Sequence, residues 1–297
     1  MKSFFHALWV ILRIIWRIIR IVWYWLERLI LVVLLIIIAV GMAWWTSQKP
    51  SLNRDWDPVD AVLPVITWSQ NIVTIKNIRN HLWTTDKDFT ARYYDDTFDL
   101  DKLTDVHYVL TPFSKSDGPA HTMLTFTFSD GKHLAISGEI RKERGESFDA
   151  VGGILNQYEL LYVIANEEDI IKLRTNYRKN DVYVYPINTP KEKIQGLFRS
   201  MLIRADKLTK EPEFYNTLWN NCTTSLLTHA NALRENKLVW GKHTILPAHS
   251  DELIYQAELI NTGLPLIEAK AYYKIDDIAQ SLTEDKNFSA AIRKEIR

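Results

Sequence analysis

The sequence predicts an α+β body behind an amino-terminal transmembrane helix. Three observations predict it: a long uncharged apolar run near the start, alternating strand patterns through the middle, and helical periodicities toward the end. The 297 residues carry 36 Lys+Arg and 36 Asp+Glu. Such a balance argues against a nucleic-acid partner. At 47% hydrophobic with one cysteine, the chain is neither disordered nor a disulfide scaffold.

In the first 28 residues Lys2, Arg13, Arg17, Arg20 and Arg28 face only Glu27, so the remainder carries net negative charge. The run 29–40, LILVVLLIIIAV, has no charge or proline, with Trp23, Tyr24 and Trp25 before it and Trp44 and Trp45 after. From Trp25 to Trp44 a helix rises roughly 30 Å, the thickness of a bilayer's hydrocarbon core, with aromatics at both interfaces. Arg13, Arg17 and Arg20 share one helical face, so residues 4–22 are expected to lie on an anionic leaflet as a basic amphipathic helix. The positive charge marks the cytoplasmic side. The expectation is one inner-membrane span with the body in the periplasm.

Four segments are expected: 1–47 as anchor, 48–70 as linker and entry, 71–270 as the domain, and 271–297 as an amphipathic tail. Strands are predicted over 72–78, 105–110, 121–128, 133–141, 158–164 and 181–185, and helices over 168–177, 190–208, 221–236 and 276–296. Thr189-Pro190-Lys191-Glu192 reads as a capping box opening the second of those helices. In the hairpin 121–141, a three-residue turn with Gly131 in the left-handed region pairs Phe128 with Lys132. Leu124, Phe126, Phe128, Leu134, Ile136 and Ile140 then share one apolar face. His121, Ser137, Glu139 and Arg141 fall on the other, with His121 opposite Glu139. That pair suits a histidine base and the carboxylate that orients it.

Cys222, the lone thiol, follows Asn220-Asn221 at the start of a predicted helix. Asparagine is a good N-cap, and the first helical turn favours a thiolate. Burial as a packing residue is the competing reading of a free cysteine. His229, seven residues on, lies about 10 Å up the axis and beyond reach; His121 is the better partner. His243, His249 and Asp251 match no strong zinc spacing. No metal and no cofactor is expected.

The runs DFTARYYDDTFDLDKL (88–103), AHTMLTFTFSDGKHLAISGEIRKERGESF (120–148), QYELLYVIANEEDIIKLRTNYRKNDVYVYP (157–186), FYNTLWNNCTTSLLTHANAL (214–233) and LPAHSDELIY (246–255) resemble the Lnb N-terminal periplasmic domain family. The resemblance implies a circularly permuted papain-like (NlpC-type) domain with an antiparallel sheet, in which the histidine strand precedes the cysteine helix. It implies acyl transfer to bacterial lipoproteins through a cysteine acyl-enzyme, with Cys222 as nucleophile and His121 as base. Glu139 is the expected third member, with Ser137 in reserve. Arg141, Asn221 and Thr223 are further candidates for orienting or substrate binding. The expected partners are membrane phospholipid or a bacterial lipoprotein. Two alternatives stay open: a cysteine amidase or peptidase on cell-wall peptides, and a non-enzymatic envelope scaffold.

Overall fold

The computed structural model describes residues 2–114, 118–260, 262–282 and 288–293. The chain divides into two compact units, Met1–Lys49 and Pro50–Arg297.

The first unit is a single helix, α1 (Lys2–Ser47). The arginine-bearing segment and the apolar run are therefore one rod, not two helices. The reason is local: no proline or glycine occurs before Gly41, so nothing interrupts the i→i−4 ladder. Within it, Trp9–Ser47 is long and apolar enough to cross a membrane. The guanidinium of Arg13 covers the ring of Trp9 and that of Arg28 the ring of Tyr24, both four residues back along the helix.

The second unit is built on strands β1 (Val65–Ser69), β2 (Ile72–Arg79), β3 (Leu82–Trp83), β4 (Phe89–Thr90), β5 (Tyr93–Asp99), β6 (Leu103–Pro112), β7 (Ala120–Phe128), β8 (His133–Arg141), β9 (Glu159–Ala165) and β10 (Tyr183–Pro186). Its helices are α2 (Ala150–Ile154), α3 (Glu167–Lys172), α4 (Lys191–Leu208), α5 (Cys222–Ala232), α6 (Lys242–Ile245), α7 (Ser250–Gln256), α8 (Leu266–Tyr272), α9 (Asp276–Ser281) and α10 (Phe288–Ala291). The main sheet runs β1-β2-β9-β8-β7-β6-β10, with β5 also on β2. It is mixed, not purely antiparallel as expected, because β2 meets β9 in parallel at Arg79 and Ala165.

Strand β5 escaped sequence reading because its sequence, YYDDTFD, looks like a loop. Most of its side chains remain at least partly in water and only Phe98 is buried, so acidic residues are tolerated. Helix α4 starts at Lys191 with Pro190 as its N-cap and no side-chain cap, so the Thr189 capping box does not form. Proline supplies the extended entry by itself. The helix expected over 276–296 is two short pieces, α9 and α10; residues 283–287 and 294–297 lie outside the described residues.

The β7–β8 hairpin keeps the predicted register. Gly131 has φ +83, the Phe128 amide donates to the Lys132 carbonyl at 3.0 Å, and Leu124 pairs with Ile136. Leu124, Phe126, Leu134 and Ile136 pack with Phe198, Met201 and Leu202 of α4 and Leu226 of α5 in one core. The other sheet face is not solvated. Met123, Ala135, Leu161 and Val163 lie in a second core with Ile170 and Ile171 of α3, Ile275, Ala279 of α9, and Phe288 and Ile292. Within the segment expected as a tail, Ile275, Ala279, Phe288 and Ile292 close the second layer, and Arg293 bonds Glu167 at 2.8 Å. The apolar side chains of α9 and α10 meet this sheet. The expected linker likewise enters the body early: Ser51 donates its amide to Glu159 at 3.1 Å, and Trp56 pairs with Glu143.

Candidate active site

Residues 216–220 form a tight loop closed by the backbone pair Asn216–Asn220, at 3.1 and 3.0 Å. The loop delivers Asn221 as N-cap of α5. Its Oδ1 accepts from the Thr224 amide at 2.8 Å, and Thr224 Oγ1 accepts from the Asn221 amide at 2.8 Å. This reciprocal cap fixes where the helix begins and puts Cys222 at its first residue. The amides of Cys222 and Thr223 lie ahead of any intrahelical acceptor.

The hairpin ladder extends from Thr127–His133 to Leu124–Ile136 and no further, while β8 continues on β9 down to Arg141. Beyond Leu124 the two strands fork, and the start of α5 fills the fork. Cys222 Sγ lies 3.9 Å from the Ala120 carbonyl of β7, and the Thr122 amide also bonds to it. Thr223 Oγ1 lies 3.0 Å from Thr122 Oγ1 and 3.7 Å from the sulfur. On the other prong, a Cβ added at Gly138 would stand 3.6 Å from Cys222 Cα, so the helix passes directly over that glycine. The thiol therefore occupies the place a β8 partner would take.

His121 lies in the same fork and is buried. Its Nε2 is 2.6 Å from Ser137 Oγ and 3.0 Å from Glu139 Oε1, and Ser137 Oγ donates to that carboxylate oxygen at 2.9 Å. The two candidates for the third position are both present, in one triangle. Arg174, buried, completes it by donating from Nη2 to Glu139 Oε1 at 3.0 Å, while Nη1 donates to the Ile170 carbonyl at 2.7 Å. It stands on a π-helical turn, Leu173–Tyr177, that continues α3. Sequence reasoning missed it, because periodicity there predicted ordinary helix. A charged residue within a segment otherwise rich in buried side chains was the available signal.

The charges follow from this packing. Burial pushes the Glu139 carboxyl up, but His121 and Arg174 outweigh it and hold Glu139 well below the usual carboxylate range. Burial lowers His121, yet the Glu139 carboxylate more than offsets it and the net direction is upward. Burial raises the Cys222 thiol, while the charge and hydrogen bond of His121, with the Thr122 amide, bring it down to about 7. An imidazolium beside a thiolate is the favoured state of such a pair. Tyr215, also buried, is pushed up by burial and then by the charges of Cys222 and Glu139.

The other predicted site residues are placed elsewhere or serve the frame. Arg141 turns away: its guanidinium donates to the carbonyls of Asp60 at 3.1 Å and Ala61 at 2.7 Å and covers the ring of Trp56. It fastens the entry segment to β8 and is not part of the cluster. Asn221 is a cap, and Thr223 braces the sulfur. His229 bonds Tyr162 at 2.8 Å and Ser200 at 3.0 Å, away from the thiol. Among the described residues no group of three or more His, Cys, Asp or Glu side chains gathers to hold a metal ion.

A family model described as the Lnb N-terminal periplasmic domain matches residues 89–255. The chain belongs to that family. The matched stretch contains every member of the Lnb-domain cluster built above, from His121 to Cys222. It stops short of α8 to α10, which in this chain close the second core. No curated protein and no solved structure matches the chain.

Beside the cluster an apolar pocket opens between α5, α7 and the sheet. Thr223, Tyr108, Leu124, Leu226, Ile254 and Leu259 line it. It begins one residue from Cys222 and continues along the apolar face of α5.

Proposed function

We propose that this chain is a membrane-anchored periplasmic thiol acyltransferase acting on membrane phospholipid or lipoprotein. The observation that carries the reading is the apolar pocket, lined by Thr223 and Leu226, beside the buried Cys222 and His121 and the Glu139 carboxylate that His121 contacts. A pocket of that lining suits a fatty acyl chain and is a poor match for a cell-wall peptide, which favours the lipid reading over the amidase or peptidase one. The strand bearing His121 precedes the helix bearing Cys222, the chain order of a circularly permuted papain-like plan.

In this mechanism the Cys222 thiolate attacks the ester carbonyl carbon of a phospholipid. The S–C bond forms, and the oxyanion meets the first-turn amides of Cys222 and Thr223. As the C–O bond breaks, the His121 imidazolium gives its proton to the departing alkoxide. The acceptor, an amine or hydroxyl, then loses its proton to His121 and attacks the thioester carbonyl, and the sulfur leaves as thiolate. Glu139, held by Arg174 and Ser137, keeps Nε2 engaged, so Nδ1 is the ring nitrogen left for the thiol.

Helix α1 is the anchor in this reading. Its 46 residues extend roughly 69 Å, about twice a bilayer core, so one part spans the inner membrane and the arginine-bearing turns extend on the cytoplasmic side.

The test is intact mass of the full chain after incubation with phospholipid vesicles. A hydroxylamine-labile adduct of fatty-acyl mass is expected on wild type and absent from Cys222→Ala. An adduct that persists in Cys222→Ala, or none on wild type with any vesicle phospholipid, would sink the acyl-enzyme reading.

A further inference from the structure

Large apolar side chains in water are normal when they stand singly; a cluster around a binding site is not. In the second unit six such residues stand on the two flanks of the Asn221–Cys222 corner, while others, such as Ile72, Leu82 and Ile267, stand apart from it. On one flank Val151 (60% exposed) and Leu155 belong to α2, with Phe148 just before it and Trp219 (56%) at the tip of the 216–220 loop. These four are held together and beside the thiol. Thr217 Oγ1 donates to the Ala150 carbonyl at 2.8 Å, and the rings of Phe148 and Tyr215 stand 6.3 Å apart. On the other flank are Val239 (75%) and Trp240 (53%). They lie between Leu238 and Thr244, both of which line the apolar pocket, and the Thr244 carbonyl faces Asn221 Nδ2 at 3.5 Å. Exposed Lys237 and Lys242 bracket that pair.

The polypeptide enters the body on this same side. Only Gln48, Lys49 and Pro50 separate the last residue of α1 from Ser51, which bonds Glu159. Glu159 pairs with Phe214, the Tyr158 carbonyl accepts from the Tyr215 amide at 3.0 Å, and the rings of Tyr158 and Phe148 stand 6.2 Å apart. The point of attachment and the Phe148 flank of the rim are thus neighbours within the body.

We propose that the rim formed by Phe148, Val151, Leu155, Trp219, Val239 and Trp240 seats on the lipid leaflet, so that the Cys222 cleft and its pocket open onto the membrane interface. Tryptophan is the side chain suited to that interface, with its ring among acyl chains and its N–H toward headgroups, and lysines beside it meet anionic lipid. The short connector leaves a lipid surface within reach of the side of the body that carries these residues. An ester-bearing lipid could then slide a chain into the pocket without crossing water. The proposal rests on the reading of α1 as the membrane anchor.

The test uses the full chain, reconstituted into vesicles of phosphatidylethanolamine and phosphatidylglycerol. Cys222→Ala removes the only native thiol, so a single introduced cysteine carries a nitroxide label. Val151→Cys, Trp219→Cys and Trp240→Cys are compared with Ile203→Cys, an equally exposed apolar position on α4 (54%), and with Ile36→Cys within the apolar run. Collision with oxygen, relative to a water-soluble nickel chelate, should be several-fold higher at the three rim positions than at residue 203, with residue 36 higher still. Rim labels that match residue 203 while residue 36 reads as lipid-buried would overturn the docking surface and leave the anchor standing. A water-like reading at residue 36 would remove the anchor itself. Distance-dependent broadening between rim labels of separate molecules would assign the face to a second copy of the chain, which also overturns the proposal.

Discussion

Replacing Glu139 by glutamine should switch the thiol off without unfolding the protein. The carboxylate stands 3.0 Å from His121 Nε2. Unit charges at that separation attract by roughly 5 kcal/mol at an effective dielectric constant near 20, equivalent to roughly three to four pH units on the imidazolium. Arg174, bonded to the same oxygen, offsets part of this, and a net loss of about 1–3 units is the ordinary range for one opposite charge. Without the carboxylate, burial and the charge of Arg174 act on His121 against the thiolate alone, and favour the neutral ring. The thiol then loses the cation that brings it down to about 7, and its titration moves upward by about 1–2 units, toward or past the usual cysteine range. The assay is the rate of iodoacetamide alkylation against pH. Wild type should be half-maximal near 7, and Glu139→Gln should be about 5–50-fold slower at that pH. The glutamine can still accept from Arg174, so the destabilisation should stay near ~1–3 kcal/mol by urea titration. An unchanged half-maximal pH of about 7 in a folded Glu139→Gln protein would refute the argument that the carboxylate sets the thiol's charge.

Three further outcomes are expected. Ser137→Ala should leave the alkylation profile near that of wild type and reduce lipid turnover less than Glu139→Gln does, because the direct Nε2–Oε1 contact survives; a loss as large as that from His121→Ala would make Ser137 the principal orienting group. Gly138→Val should abolish rapid alkylation while α4 and the main core remain folded by circular dichroism, because one methyl group there already makes ordinary contact with Cys222 Cα and a branched side chain must push the helix out of the fork; an active valine variant would contradict the close approach. Alkaline phosphatase joined after Arg297 should be active in a Gram-negative host and a cytoplasmic reporter at the same position inactive, and the reverse pattern would put the body in the cytoplasm.

Several features were legible in the sequence because each is decided by neighbours along the chain. The Asp130-Gly131 turn and the alternation on either side of it specify one register, since a one-residue slip would bury the wrong face. The asparagine before Cys222 specifies where α5 begins. The unbroken apolar run makes a helix, and the runs between residues 88 and 255 carry the family resemblance. What the tertiary structure decided involves contacts between distant segments. A strand face bearing His121, Thr125, Ser137 and Glu139 reads as solvated, and only the cover of α3, α9 and α10 buries the first three and leaves Glu139 half-buried. Arg141 and Arg174 are both arginines near helices or strands of suitable pattern; nothing local says that the first binds the carbonyls of residues 60 and 61 and the second the carboxylate of Glu139. The fork between β7 and β8 is the plainest case. The pattern favours continued pairing past Leu124, yet the ladder ends there, because a helix a hundred residues later places its first turn between the strands. Alternation and capping report which face each residue presents. Which partner meets that face depends on loop closure and packing over the whole chain, and it is that packing that brings sulfur, imidazole, carboxylate and guanidinium together.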